Sequence, residues 1–94
     1  MGSAAAEFMV KRLVKFDGDG SVKAYCDLAI GDRFLVRGLR VVSGKRGLFV
    51  SMPRQKGKDG NWYDNVVALT DETRGEVGRV VLAAYQQELA GENA

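Results

Sequence analysis

Arg54, Lys56 and Lys58 stand at every second position in GLFVSMPRQKGKDG (residues 47–60), directly after Pro53, the chain's only proline. Groups of this kind stay protonated near neutral pH, so they suit attraction of an anion better than proton transfer. They close a longer basic stretch. From Arg33 to Lys58 the sequence holds Arg33, Arg37, Arg40, Lys45, Arg46, Arg54, Lys56 and Lys58 and no acid, a local charge of +8. From Asn61 to Ala94 it holds two basic and six acidic residues, a local −4. Glycines at 44, 47, 57 and 60 let a backbone come close. Phosphates contacted by such a surface would give affinity and salt dependence without sequence preference. Trp62 and Tyr63, just past the loop, could stack on an unpaired base, although aromatics at a strand start are usually packing. Basic strands facing an acidic helix, within the fold or a dimer, would produce the same asymmetry, so charge alone leaves the two readings even.

Other chemistry is poorly served. The chain has no histidine, which removes histidine acid–base catalysis, the Ser-His and Cys-His nucleophile pairs and most zinc sites. Asp17, Asp19 and Ser21 open like a calcium loop, but the twelfth position is Leu28 and a strand pattern follows, so a hairpin turn is the better reading. Asp27, Asp32, Asp59 and Asp64 adjoin turns for the most part, and nothing in their spacing pairs two for catalysis. Cys26, the single cysteine, lies in an apolar alternation and reads as core; alone it cannot form an internal disulfide, which fits a reducing cytoplasm. No enzyme activity, metal, cofactor or small-molecule substrate is therefore expected, and no apolar run reaches the length of a membrane span.

The elements that would position the basic residues follow from periodicity. The 94 residues make one domain. MGSAAAEF (residues 1–8) reads as a cloning scar, residues 9–90 as the domain and 91–94 as a disordered tail. Met9–Phe16 mixes apolar and basic residues before the turn signal Asp17-Gly-Asp-Gly20. Val22, Ala24, Cys26, Leu28 and Ile30 alternate as a strand with one buried face. In Arg33–Val42 the alternation slips at Gly38, which predicts a β-bulge there and gathers Arg33, Arg37 and Arg40 on one side, opposite Leu39 and Val41. Leu48, Val50 and Met52 share a face until Pro53 stops the strand. Trp62–Leu69 is a fifth strand candidate. Val77, Val80, Val81, Ala84, Tyr85 and Leu89 then recur at helical spacing up to Gly91, with Thr70 or Asp71 as N-cap, or a later start through a Thr73/Glu76 capping box. The expected class is α+β: about five mostly antiparallel strands and a C-terminal helix.

GLRVVSGKRGLFVSMPRQKGKDGNWYDNV followed by LTDETRGEVGRVVLAAY resembles the stage V sporulation protein G (SpoVG) family of bacteria, also called septation regulators. Arg40-Val41-Val42, Gly47 to Pro53, Asp59-Gly60, Asp64 and Thr73-Arg74 carry the likeness, which spans Met9 to about Glu88. The resemblance implies a small cytoplasmic homodimer that binds preferred DNA sites, with RNA in some members, and acts in gene regulation and septum formation. By position it points to Arg54, Gln55, Lys56 and Lys58 in the loop and to Thr73 and Arg74 at the helix start as recognition elements. Arg37, Arg40, Lys45 and Arg46 complete the nucleic-acid-binding set expected from charge. Tyr63 departs from the family, which usually has a basic residue before the aspartate, and Asn65 to Leu69 departs from its usual strand continuation. A protein-interaction adaptor in cell division, using the basic face against an acidic partner, is the competing expectation.

Overall fold

A computed structural model describes residues 7–16, 18 and 20–92. Four strands form an antiparallel meander in the order β1-β2-β3-β4: β1 (Phe8–Lys15), β2 (Val22–Ile30), β3 (Phe34–Gly44) and β4 (Gly47–Ser51). A separate two-stranded hairpin, β5 (Arg54–Lys56) with β6 (Trp62–Asp64), precedes the helix α1 (Asp71–Glu92). The α+β class expected from the pattern is the observed one. The basic loop itself supplies an extra strand, β5, which pairs only with β6. Asp17 and Asp19, where a turn is expected, lie outside the described residues.

The turns explain the meander. Gly31 and Asp32 both have positive φ, 58° and 57°, as a tight hairpin following the right-handed strand twist requires. The Arg33 amide donates to the Ile30 carbonyl across that turn at 3.0 Å. Arg33 thus lies in the turn and not on the strand face where the slipped period groups it with Arg37 and Arg40.

The bulge stands at Gly38. Arg37 pairs with Asp27 and Leu39 with the next residue back, Cys26, so Gly38 is left without a partner on β2; its φ is 92°. The extra residue turns Leu39 and Val41 inward and leaves Arg37 and Arg40 together on the other face. A Cβ at Gly38 would meet only the Pro53 Cβ, at 3.9 Å, so space is not the constraint; backbone handedness is. Gly38→Ala is expected to cost about 1–2 kcal/mol, read as a lower melting temperature. An unchanged melt would show that the bulge tolerates a side chain.

One face of the sheet packs on the helix. Ala24, Cys26, Leu28, Leu39 and Val41 meet Val77, Val81 and Tyr85, none more than 8% exposed. The helical residues recur every fourth position, the stripe that a single buried helix face needs. Burial, then the neighbouring Asp27 charge, pushes the Cys26 thiol up to about 11, which leaves it a protonated core side chain. Thr70 is the N-cap: its hydroxyl oxygen accepts from the Thr73 amide at 3.1 Å, and its carbonyl accepts the first helical bond, from Arg74, at 3.1 Å. The helix runs through Gly91 to Glu92. β1 begins at Phe8, which pairs with Ile30.

Trp62–Leu69 does not form one strand. Pairing stops at Asp64, and Val66 to Leu69 crosses an apolar groove floored by Leu28, Val36 and Leu39 before reaching the Thr70 cap. An apolar run without period two carries no face assignment, and here packing over the sheet's end uses it instead. No helix among the described residues is long and apolar enough to cross a membrane.

Candidate nucleic-acid interface

The β5–β6 hairpin turns alternating charge into a surface. Register pairs Arg54 with Asp64, Gln55 with Tyr63 and Lys56 with Trp62. Side chains two apart on a strand share a face. Arg54, Lys56, Asp64 and Trp62 therefore stand on one side, and Gln55 and Tyr63 on the other. The fold brings an acid to the basic stretch: Arg54 Nε lies 3.2 Å from Asp64 Oδ1, with both side chains 41% exposed. At that exposure the pair orients Arg54 more than it stabilises the fold.

The tip is held by Asp59. Its carboxylate accepts from the Tyr63 hydroxyl at 2.5 Å, the Asn61 amide at 3.0 Å and the Asn61 side-chain nitrogen at 3.3 Å. The Tyr63 ring lies against Gly57, where a Cβ would come within 2.8 Å of it. Tyr63 is thus committed to the hairpin, whereas Trp62 is 55% exposed. The Tyr63 bond first, then the Asn61 amide, holds the Asp59 carboxyl below its ordinary value. A lowered folded value means the tip's ordering is fully present above the ordinary carboxylate range and is lost as pH falls through the lowered value. In an NMR titration the Asn61 amide should shift with a midpoint below the ordinary 3.8. A midpoint at or above it would contradict this anchoring.

Between β4, the base of the hairpin and the start of α1 lies an open groove of about 650 Å³. Leu48, Val50, Met52, Val77 and Leu82 give it an apolar lining, and Arg54, Asp64, Arg74 and Arg79 bring charge to it. Gly75 and Gly78 also line it, and a Cβ at Gly78 would meet nothing within 4 Å. Two glycines that weaken the helix in isolation thus keep its groove side low. The N-terminal end of α1 adds the positive pole of the helix dipole.

The expected site residues fall into separate places. Arg54, Lys56 and Arg74 belong to the groove and its hairpin wall. Lys58 is in the tip turn and Gln55 on the hairpin's other side. Thr73 is half-buried, its hydroxyl bonded to Thr70 at 3.0 Å, and it lines the apolar groove beneath Val66–Leu69 instead. Lys45 and Arg46 form the β3–β4 turn beside Phe49. Arg37 and Arg40 lie on the sheet face away from α1, where Arg40 Nη2 donates to the Ser51 hydroxyl oxygen at 3.3 Å. Arg79 is the groove residue that sequence reasoning missed. Its signal was there: it follows Gly75 by one helical turn, on the glycine side and off the Val77/Val81 stripe. No group of three or more metal-ligating side chains occurs among the described residues.

Comparison with known proteins gives a consistent picture. The SpoVG family profile matches residues 7–87. A protein of Archaeoglobus fulgidus named "Putative septation protein SpoVG" is 42% identical over 83 residues, covering 88% of this chain and 98% of its own length. A relative of the same name in an Anaeromyxobacter species is 43% identical over 68 residues, 72% of this chain and 70% of that protein. A Listeria monocytogenes relative, the second of that name, is 36% identical over 76 residues, 81% of this chain and 74% of its own.

Proposed function

This chain belongs to the SpoVG family, and from that premise we propose that it is a dimeric, cytoplasmic DNA-binding regulator that seats a duplex in the groove between the β5–β6 hairpin and the start of α1. The observation that carries this reading is the convergence of Arg54, Arg74 and Arg79 on one open groove, with Lys56 and Trp62 on the same hairpin face as Arg54. Arginine forks suit phosphate oxygens, and an anion at a helix N-terminus also meets the dipole. Asp64 supports the reading by holding Arg54 in place without burying its charge.

Two grooves in a two-fold dimer would act on one duplex, so a modest contact gains from effective concentration. Apolar surface favours such pairing: Phe34 is 71% exposed, Val67 62% and Leu69 95%, and exposed large apolar side chains suit a contact with a second copy. The names of the relatives place them in septation, and the regulation proposed here would act on gene expression and division septum formation.

Fluorescence anisotropy on labelled duplex DNA, with the purified protein alone at about 0.15 M salt, tests the reading. Binding that weakens steeply as salt rises is expected. No retention of duplex at that salt would instead favour an adaptor that meets an acidic protein. A mass that stays monomeric at every concentration in sedimentation would remove the dimer.

A further inference from the structure

An acid stands among the cations of the groove. Asp64 lines it together with Arg54, Arg74 and Arg79, and by register it shares a hairpin face with Arg54, Lys56 and Trp62. A carboxylate repels phosphates, so Asp64 lowers the attraction that the arginines supply. Its contact with Arg54 runs through Nε, 3.2 Å from Oδ1, which leaves the two Nη groups for a phosphate. A carboxylate accepts at both oxygens, and at 41% exposure Asp64 has room for a second donor from outside. The ribbon that carries it is closed at both ends and open on both faces. At its base the Asn65 amide donates to the Pro53 carbonyl at 2.8 Å, and at its tip Asp59 holds Tyr63 and Asn61. All six strand residues between are exposed. Three residues a strand span about 10 Å, the rise of about three base pairs.

We propose that Asp64 is the base-reading residue of this interface: the β5–β6 ribbon lies in the major groove of a duplex, and the Asp64 carboxylate accepts from the N4 amino group of a cytosine. The inference rests on the duplex-binding function proposed above and adds the base that it prefers. The major groove admits a two-stranded β-ribbon. The phosphate backbone bordering it then lies between the ribbon and α1, against Arg74, Arg79 and the positive pole of the helix. Among the four bases cytosine suits a carboxylate best. Guanine offers the acceptors O6 and N7 in the major groove, thymine offers the acceptor O4, and adenine sets its N7 acceptor beside its amino group; cytosine presents an amino donor alone. The acid therefore acts by rejection as much as by attraction. A site that offers it no amino group leaves a carboxylate among acceptors and phosphates, a cost that separates one sequence from another as arginine–phosphate contacts do not.

The test selects from a pool of randomised duplexes with the full chain, Asp64→Ala and Asp64→Asn, sequences the bound fraction, and titrates selected and unselected duplexes by anisotropy. The parent should enrich a C·G pair whose replacement by T·A weakens binding about tenfold, the loss of one base contact. Asp64→Ala should lose the preference at that position and bind the unselected pool about threefold more tightly, because one exposed like charge is gone. Asp64→Asn keeps the size of the side chain and an acceptor for Arg54 Nε, and it should move the preference to adenine, whose N6 and N7 match an amide. If Asp64 serves only to orient Arg54, alanine will weaken selected and unselected duplexes alike and the C·G preference will survive, which overturns the proposal. Binding of the unselected pool with no C·G pair enriched overturns it too and leaves the duplex-binding function standing. A parent that binds no duplex of any sequence counts against that function itself and removes this inference with it.

Discussion

Replacing Arg54, Arg74 and Arg79 together by alanine is expected to weaken duplex binding by about a hundredfold to a thousandfold for each groove that engages the duplex, and to flatten its salt dependence. The three side chains line one groove and come from two elements, β5 and α1. A guanidinium–phosphate contact in an open groove is worth on the order of 1 kcal/mol or somewhat more, and each 1.4 kcal/mol is tenfold in affinity. Each neutralised phosphate also contributes about −0.9 to the slope of log affinity against log salt. The slope should therefore fall by between two and three for each groove that engages the duplex. Changing Lys45 and Arg46 to alanine is the control: it removes two cations that form the β3–β4 turn instead of three that line the groove. Their loss should move duplex affinity by less than about threefold, within the range of weak, screened surface charges. Losses in simple proportion to the charge removed, two against three, would mean that net charge, and not the groove, governs binding.

Leu39→Ala should be the most damaging single change to the fold. Leu39 is fully buried, among the largest side chains that are, and it reaches the core only because the Gly38 bulge turns it inward. Truncating a leucine in such a site costs about 2–5 kcal/mol, the transfer of its methyl groups plus the cavity left behind. Total stability for a domain of this kind is on the order of 5–15 kcal/mol, so urea unfolding should show a midpoint shifted by a large fraction of its parent value. Phe34→Ala removes a larger side chain that is 71% exposed, and as a monomer contact it should cost well under 1 kcal/mol. If the two substitutions cost the same in dilute monomeric protein, the burial pattern is wrong.

What the sequence made legible was whatever its periodicity encodes. Val22 to Ile30 alternates strictly, and β2 is one of the two interior strands, pairing with both β1 and β3. The slip at Gly38 could be read because Leu39 and Val41 fall out of phase with Phe34 and Val36. The helix stripe through Val77, Val81 and Tyr85 was equally plain. The hairpin was not: Arg-Gln-Lys and Trp-Tyr-Asp are three-residue strands, all six residues exposed, and an element that buries nothing leaves no apolar signature. It is organised by the Asp59 contacts with Tyr63 and Asn61, side-chain geometry that spacing does not encode. Val66 to Leu69 misled in the opposite way, since four apolar residues satisfy strand propensity whether they pair or merely cover a groove. The basic residues were all visible in the chain, but only the fold divides them between the groove, the β3–β4 turn and the open sheet face.

Trp62 allows the central claim to be tested at its own location. It is the only tryptophan, it is 55% exposed, and it stands opposite Lys56 on the hairpin face that carries Arg54. Titrating duplex DNA into the protein while following tryptophan fluorescence should give a change that saturates together with anisotropy of the labelled duplex and disappears in the Arg54, Arg74 and Arg79 variant. Duplex binding by anisotropy with Trp62 emission unmoved throughout would place the DNA elsewhere on the molecule and contradict the groove as its seat.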